Sequence, residues 1–459
     1  MIRKAVLKSI NPATGEMIKS YPVMKPVEAD EIILSAVKSF SEWKETSFDL
    51  RAKLMRKAAG VLRSGKEEYS RLMTLEMGKP INQSRAEVEK CAWVCEFYAE
   101  NAEKFLSDEI VITDASKSYI SFKPLGVVLA VMPWNFPFWQ VFRFAAPALV
   151  AGNAGILKHA SNVTGCSLAI EDVFIKAGFP RNLFRSVLLP SSEMERVIKN
   201  ENIKAVTLTG SVPAGKAVAR TAGAVLKKTV MELGGSDPYI ILEDADLNLA
   251  AETCTTARLI NGGQSCIAAK RFIVVEKVYD EFLRLFVEKM SSKKMGNPFD
   301  EQYDLGPQAS VQLRDELHQQ VLKSIAAGAK LLLGGAIPES SGAYYPPTVL
   351  SNVARGMPAY NEELFGPVAA VIKAGSEDDA IRIANDTVFG LGAAVFTSDE
   401  IKGEKIAREN LNAGSCFVNA FVKSDPRLPF GGIKESGYGR ELSVFGIREF
   451  VNIKTVFIK

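Results

Sequence analysis

A chain of 459 residues is too long for one simple core, and its length points to two or three domains. Hydrophobic content of 47%, charged content of 24% and a net charge of +3 are ordinary for a globular protein, and point to neither nucleic acid nor a membrane surface. The six cysteines show no disulfide-framework spacing, and two histidines, His159 and His318, nearly exclude histidine-rich metal chemistry, so no metal site is expected.

The first eight residues are basic but lack the apolar core and cleavage site of a signal peptide. Free thiols fit a reducing compartment, so a cytoplasmic protein is expected. From Pro26 to Leu106 apolar residues recur at three- and four-residue intervals, the pattern of amphipathic helices, with Cys91 and Cys95 as packing residues on the last one. The apolar stretch from Gly126 to Gly152 is interrupted by Asn135, Gln140, Arg143 and three prolines. It reads as a buried strand, loop and helix rather than a membrane span.

Strands are predicted at Gly126–Met132, Gly155–Lys158, Phe184–Leu189, Ala205–Leu208 and Lys228–Leu233, with helices between most of them at Val163–Ala177 and Ala214–Leu226. Such alternation predicts a doubly wound parallel sheet, an α/β fold. Ligands bind such sheets outside the carboxyl ends of the strands, where Asn135, Lys158, Gly210 and Glu232 fall. A second block, from about Asp237 to Val422, alternates helices near 248–259, 280–290 and 311–327 with strands near 330–333, 369–372, 393–396 and 415–419. The tail, 450–459, is strand-like.

Chemistry concentrates in Asn261-Gly262-Gly263-Gln264-Ser265-Cys266, a glycine-rich polar loop that ends in a thiol, and in Met231-Glu232-Leu233-Gly234-Gly235. A thiol nucleophile needs an electropositive setting or a base, and a later hydrolytic step needs a base for water. A purely structural cysteine and glutamate are the alternative. Asn135, among Pro133-Trp134 and Phe136-Pro137, reads either as a turn residue or as an oxyanion donor beside the Cys266 N–H. Gly210-Ser211-Val212-Pro213-Ala214-Gly215-Lys216-Ala217 comes within one residue of a P-loop. Ala217 lacks the hydroxyl for Mg²⁺ and Pro213 removes an N–H, so a nucleotide triphosphatase is disfavoured, whereas a pyrophosphate could still meet the helix N-terminus.

These stretches, with Leu208-Thr209-Gly210-Ser211, Glu363-Leu364-Phe365-Gly366-Pro367 and Pro429-Phe430-Gly431-Gly432, resemble the aldehyde dehydrogenase superfamily in order and from end to end. The resemblance implies two doubly wound parallel-sheet domains and a small β oligomerisation arm. The expected divisions are residues 1–116 and 133–234 for the cofactor, 235–440 for catalysis, and 117–132 with 441–459 for the arm. In that family the tail pairs across a subunit interface with an extended hairpin, here Tyr119–Val131, giving a homodimer or homotetramer.

The resemblance also implies roles. Cys266 attacks an aldehyde, Asn135 stabilises the oxyanion, a hydride passes to a nicotinamide cofactor, and Glu232 activates water to release the acid. It places Trp134 and Glu363 at the nicotinamide ribose, Phe365 near the ring, Lys158 and Ser161 at the adenosine ribose, and Ser211 at the pyrophosphate, with Gly210 and Leu233 among the cofactor residues. Read alone, Glu363 is better explained as a solvated helix-end carboxylate. A common family pattern has an acid where Ser161 stands. Its absence removes repulsion of a 2′-phosphate, so NADP is expected to serve at least as well as NAD. Arg143, in an apolar helix start, needs an anion: an internal carboxylate or the carboxylate of a substrate. Trp134 to Pro147 resembles the succinate-semialdehyde dehydrogenases of the family, which makes succinate semialdehyde the expected substrate, with Ser424 a further carboxylate contact. A second arginine of some of those enzymes falls at Ile260, which leaves other small aldehydes, such as glutarate semialdehyde or lactaldehyde, in play. Two other classes remain: a cysteine hydrolase using His159 or His318, and a non-catalytic relative that keeps the fold, against which the presence of Cys266, Glu232 and Asn135 argues.

Overall fold

The computed structural model describes residues 5–459. Four helices, Pro26–Trp43, Phe48–Ser64, Lys66–Met77 and Ile81–Phe105, follow an N-terminal hairpin (Val6–Ile10 with Met17–Pro22) that the sequence pattern did not reveal. Their buried faces join the hydrophobic core around a six-stranded sheet, and Cys91 and Cys95 are buried there.

That sheet has the order 437–438, 228–232, 203–209, 127–132, 154–159, 184–186, all parallel except the two-residue edge strand. The second sheet has seven strands in the order 330–333, 348–351, 368–374, 271–275, 238–241, 392–396, 415–418, parallel apart from its 330–333 edge. Hydrophobic clusters cover both of its faces. The sequence pattern did not reveal two of these strands, Pro238–Ile241 and Thr348–Ser351; every residue of both is buried, so neither alternates between apolar and polar.

The expected arm needs correction at both ends. Val127–Met132 is not part of it but a central strand of the six-stranded sheet, because all but one of its residues are buried and both its edges are paired. The arm consists of Glu109–Ile110, Lys117–Pro124 and Val451–Ile458, and the tail pairs along its whole length with 117–124 of its own chain. Residues 441–449 pack back against the first sheet's helices: the Tyr98 hydroxyl donates to the Ser443 carbonyl at 3.0 Å, and Leu442 and Ile447 join that core.

Candidate active site

The connecting loops of the two sheets meet. The first presents loops leaving its carboxyl ends: Trp134-Asn135 after Met132, Gly210-Ser211 after Thr209, and Leu233-Gly234-Gly235 after Glu232. The second presents loops that enter its strands: 261–270 before Arg271, and 363–367 before Val368. Neighbouring motifs in the cleft are thus far apart in sequence.

The cysteine loop is tightly held. Asn261, Gly262 and Gly263 all have positive φ (52°, 62° and 76°), which asparagine tolerates and glycine adopts freely. A Cβ on Gly263 would lie 2.2 Å from the Gly366 carbonyl oxygen, so the glycine there is required by close approach of the two loops. Asn261 Nδ2 donates to the carbonyls of Asn135 (2.7 Å) and Gln264 (3.1 Å), and Asn135 Nδ2 donates to the Gln264 carbonyl (3.1 Å). Asn135 therefore abuts the loop two residues before Cys266, with its own side-chain oxygen unpartnered. Lys270, fully buried, donates to the carbonyls of Ser265 (2.9 Å) and Cys266 (2.6 Å) and lies 3.4 Å from Glu363. Sequence reasoning missed Lys270, although a lone lysine after Ile267-Ala268-Ala269 on the way into a buried strand was a visible signal.

Cys266 is half-buried, whereas Cys91, Cys95, Cys166 and Cys254 are buried. It lines a cavity of about 520 Å³ walled by Phe136, Trp139, Ile260, Ile267 and Phe430. Burial pushes its thiol up to about 12, and the nearby charges of Arg143 and Lys270 oppose that shift. The carboxylates that add to it are Glu363 and Glu232. Glu363 accepts from the Gly235 N–H at 3.0 Å. Glu232 is buried at its strand end and neither of its oxygens has a hydrogen-bond partner. Burial, then the charge of Glu441, raises its pKa well above the carboxylate range, which suits a base that must take a proton near neutrality. Gly431 leaves it room, since a Cβ there would stand 2.7 Å from Glu232 Oε1.

Arg143 has an internal carboxylate. Its Nε pairs with Glu441, Nη2 lies 3.3 Å from Thr209 Oγ1, and its guanidinium sits 4.7 Å from the centre of the Phe430 ring. Arg143 is 2% exposed and Glu441 4%. Of the two partners the sequence left open, the structure shows the internal one, and Arg143 also lines the cavity that Cys266 lines. Ser424 also lines the cavity and accepts a 2.8 Å hydrogen bond from Lys90. Neither Glu441 nor Lys90 carries a sequence motif.

Neither histidine is placed to serve Cys266. His159 sets Nε2 2.9 Å from the Pro137 carbonyl and accepts from the Ala160 N–H at Nδ1, and burial pushes it down to about 4. His318 packs on Tyr345. The cysteine hydrolase alternative lacks its imidazole.

On the other side of the cleft, Lys158 is buried with Ser191 Oγ, 3.3 Å away, as its hydrogen-bond partner, and has no ion pair among the described residues. Ser161 is exposed at the start of the next turn. Ser211 caps the helix Val212–Ala224, its side chain making no capping bond. An uncompensated ammonium, three serine hydroxyls and a helix N-terminus form a donor set suited to the phosphates of a dinucleotide. Leu233 packs into the notch left by Gly215 of that helix, where a Cβ would lie 2.4 Å from it. Trp134 and Phe365 meet edge-on, with ring centres 5.7 Å apart.

The sequence profile of the aldehyde dehydrogenase family matches residues 2–456. The chain belongs to the aldehyde dehydrogenase family. Among its relatives, the probable NADP(+) succinate-semialdehyde dehydrogenase of Synechocystis is 49% identical over 98% of this chain and 99% of that protein. The NADP(+) succinate-semialdehyde dehydrogenase 1 of Mycobacterium tuberculosis is 48% identical over 98% and 99%. The crystal structure of succinic semialdehyde dehydrogenase from Streptococcus pyogenes, in complex with NADP+, superposes with a TM-score of 0.96 at 35% identity, covering 98% of this chain and 99% of that one.

Proposed function

We propose that this aldehyde dehydrogenase oxidises succinate semialdehyde to succinate with NADP as the favoured cofactor. The observation that carries the reading is the cavity itself: Cys266 opens into a largely apolar pocket whose lining includes Arg143, Lys90 and Ser424. Glu87 is engaged by Lys79, Glu301 by Arg85, and Asp304 lies beside Lys293, a setting for a short aldehyde with an anionic far end. The names of the relatives point the same way.

In this reading the Cys266 thiolate adds to the aldehyde carbon, and the Asn135 amide with the Cys266 N–H holds the resulting oxyanion. Such donors are worth about 3–4 kcal/mol in a barrier. Loss of a hydride from the thiohemiacetal leaves an acyl group on the sulfur, and a nicotinamide dinucleotide, when bound, would supply the hydride acceptor. Lys158, Ser161, Ser211 and Gly210 would hold its phosphate and ribose groups, and Trp134, Leu233, Glu363 and Phe365 would hold its nicotinamide half. Glu232 then takes a proton from water, and the acid leaves Cys266. The exposed apolar residues of the arm, Ile110, Ile453 and Phe457, fit assembly as a homodimer or homotetramer. Among the described residues no helix is long and apolar enough to cross a membrane, in keeping with action in the cytoplasm.

The test is the initial rate of cofactor reduction with succinate semialdehyde against butanal, each with NADP+ and NAD+. A clear lead in kcat/KM for succinate semialdehyde with NADP+ is expected. Equal rates for butanal would reject the substrate, and a clear lead for NAD+ would reject the cofactor preference.

A further inference from the structure

The cations around the cavity are not equivalent. Arg143 is neutralised by Glu441. Lys293, near the mouth, lies 3.9 Å from Asp304, and Lys423 is exposed, where a charge is screened by water. Lys90 differs from all three. It lines the same cavity as Cys266, projects from the helix Ile81–Phe105, and has no ion pair among the described residues. Its ammonium donates to Ser424 Oγ at 2.8 Å and stands 4.3 Å from the centre of the Trp139 ring. An ammonium has three donors, and these contacts leave two of them free.

The carboxylates nearest to it are engaged elsewhere. Glu87 pairs with Lys79 and accepts the N–H groups of Phe138 and Trp139, both at 2.9 Å. Asp425 is held by the Arg427 side chain at 2.6 Å and 2.8 Å. A largely buried cation without a compensating anion is costly. Here that cost is offset when an anion arrives in the cavity.

We infer that Lys90, oriented by Ser424 and Trp139, is the residue that binds the distal carboxylate of the substrate, and that Arg143 supports the site from within its ion pair with Glu441. This deepens the succinate-semialdehyde reading and rests on it. Lys90 thus sets specificity, and an aldehyde with no carboxylate gains nothing from it.

The full chain carrying Lys90→Met, Lys90→Gln or Lys90→Arg is compared with wild type for kcat/KM on succinate semialdehyde and on butanal with NADP+, and for competitive inhibition by succinate. Thermal unfolding serves as the check on folding. A charge-assisted contact of this kind predicts a fall of about 10- to 100-fold in the succinate-semialdehyde to butanal ratio for the Met and Gln variants. The loss should be expressed in KM, matched by weaker succinate inhibition, and largely restored by arginine. An unchanged ratio and unchanged succinate inhibition in a folded Met or Gln variant would overturn the role of Lys90 while leaving the substrate assignment standing. A wild type that shows no preference for the charged aldehyde would overturn both.

Discussion

Replacing Arg143 with alanine removes a buried guanidinium that lies among carboxylates. Glu441 loses its partner, and Glu232, whose ionisation Glu441 already opposes, loses a cation that favours its charged form. Breaking a buried pair from one side costs about 3–5 kcal/mol. Glu441 can limit the cost by taking up a proton. Carrying a carboxyl with an ordinary value of 4.5 to its neutral form at pH 7 costs about 3.4 kcal/mol, at 1.36 per pH unit. Burial already raises the Glu441 carboxyl in the wild type, with Arg143 opposing it, so that figure is a ceiling: a loss of up to about 3 kcal/mol is expected, in addition to the stacking lost against Phe430. The sign with pH follows. In the variant the folded state holds a proton on Glu441 that the unfolded chain releases at neutral pH, so stability rises as pH falls toward 4.5 and the deficit shrinks. Urea unfolding of wild type, Arg143→Ala, Glu441→Gln and the double variant at pH 7 and pH 5.5 measures this, and the double variant should recover part of the loss. A single variant as stable as wild type at pH 7, with a selective loss of succinate-semialdehyde turnover, would refute the structural role and return Arg143 to direct substrate binding.

Ser161→Glu places a carboxylate where a 2′-phosphate is expected, so the NADP+ to NAD+ ratio of kcat/KM should fall by at least about tenfold, one to two kcal/mol of repulsion across a screened surface; a ratio unmoved by the change would remove Ser161 from the cofactor site. Glu232→Gln should still acylate, giving a burst of reduced cofactor near one equivalent per site followed by turnover slowed roughly 100-fold; loss of the burst itself would assign Glu232 an earlier step. Alkylation of Cys266, followed by mass spectrometry of its peptide in the cofactor-free protein, should accelerate continuously from pH 7 past pH 9, because burial pushes this thiol up to about 12 and only the thiolate reacts; a plateau near pH 8 would contradict that environment.

Much of this protein was legible from local pattern. Strands 203–209 and 228–232, and the helix 212–224 between them, come from apolar runs punctuated by glycine and proline, signals that act over a few residues. Cys266, Glu232 and Asn135 were legible because each stands in a motif whose neighbours, the glycines and prolines, are fixed by backbone geometry that the sequence records directly. The N-terminal hairpin and the four-residue strands 238–241 and 348–351 were not, since their pairing partners decide them. Tertiary structure alone decided which charges neutralise one another. Arg143 and Glu441 lie far apart in the chain, as do Lys90 and Ser424, at a separation of 334 residues, and no local periodicity carries that information. Burial sets the cost of a charge, and burial is a property of the assembled fold. The sequence therefore determined which candidate groups stand beside Cys266, while the packing of the fold determined which charges are paired and which cation has no ion pair among the described residues.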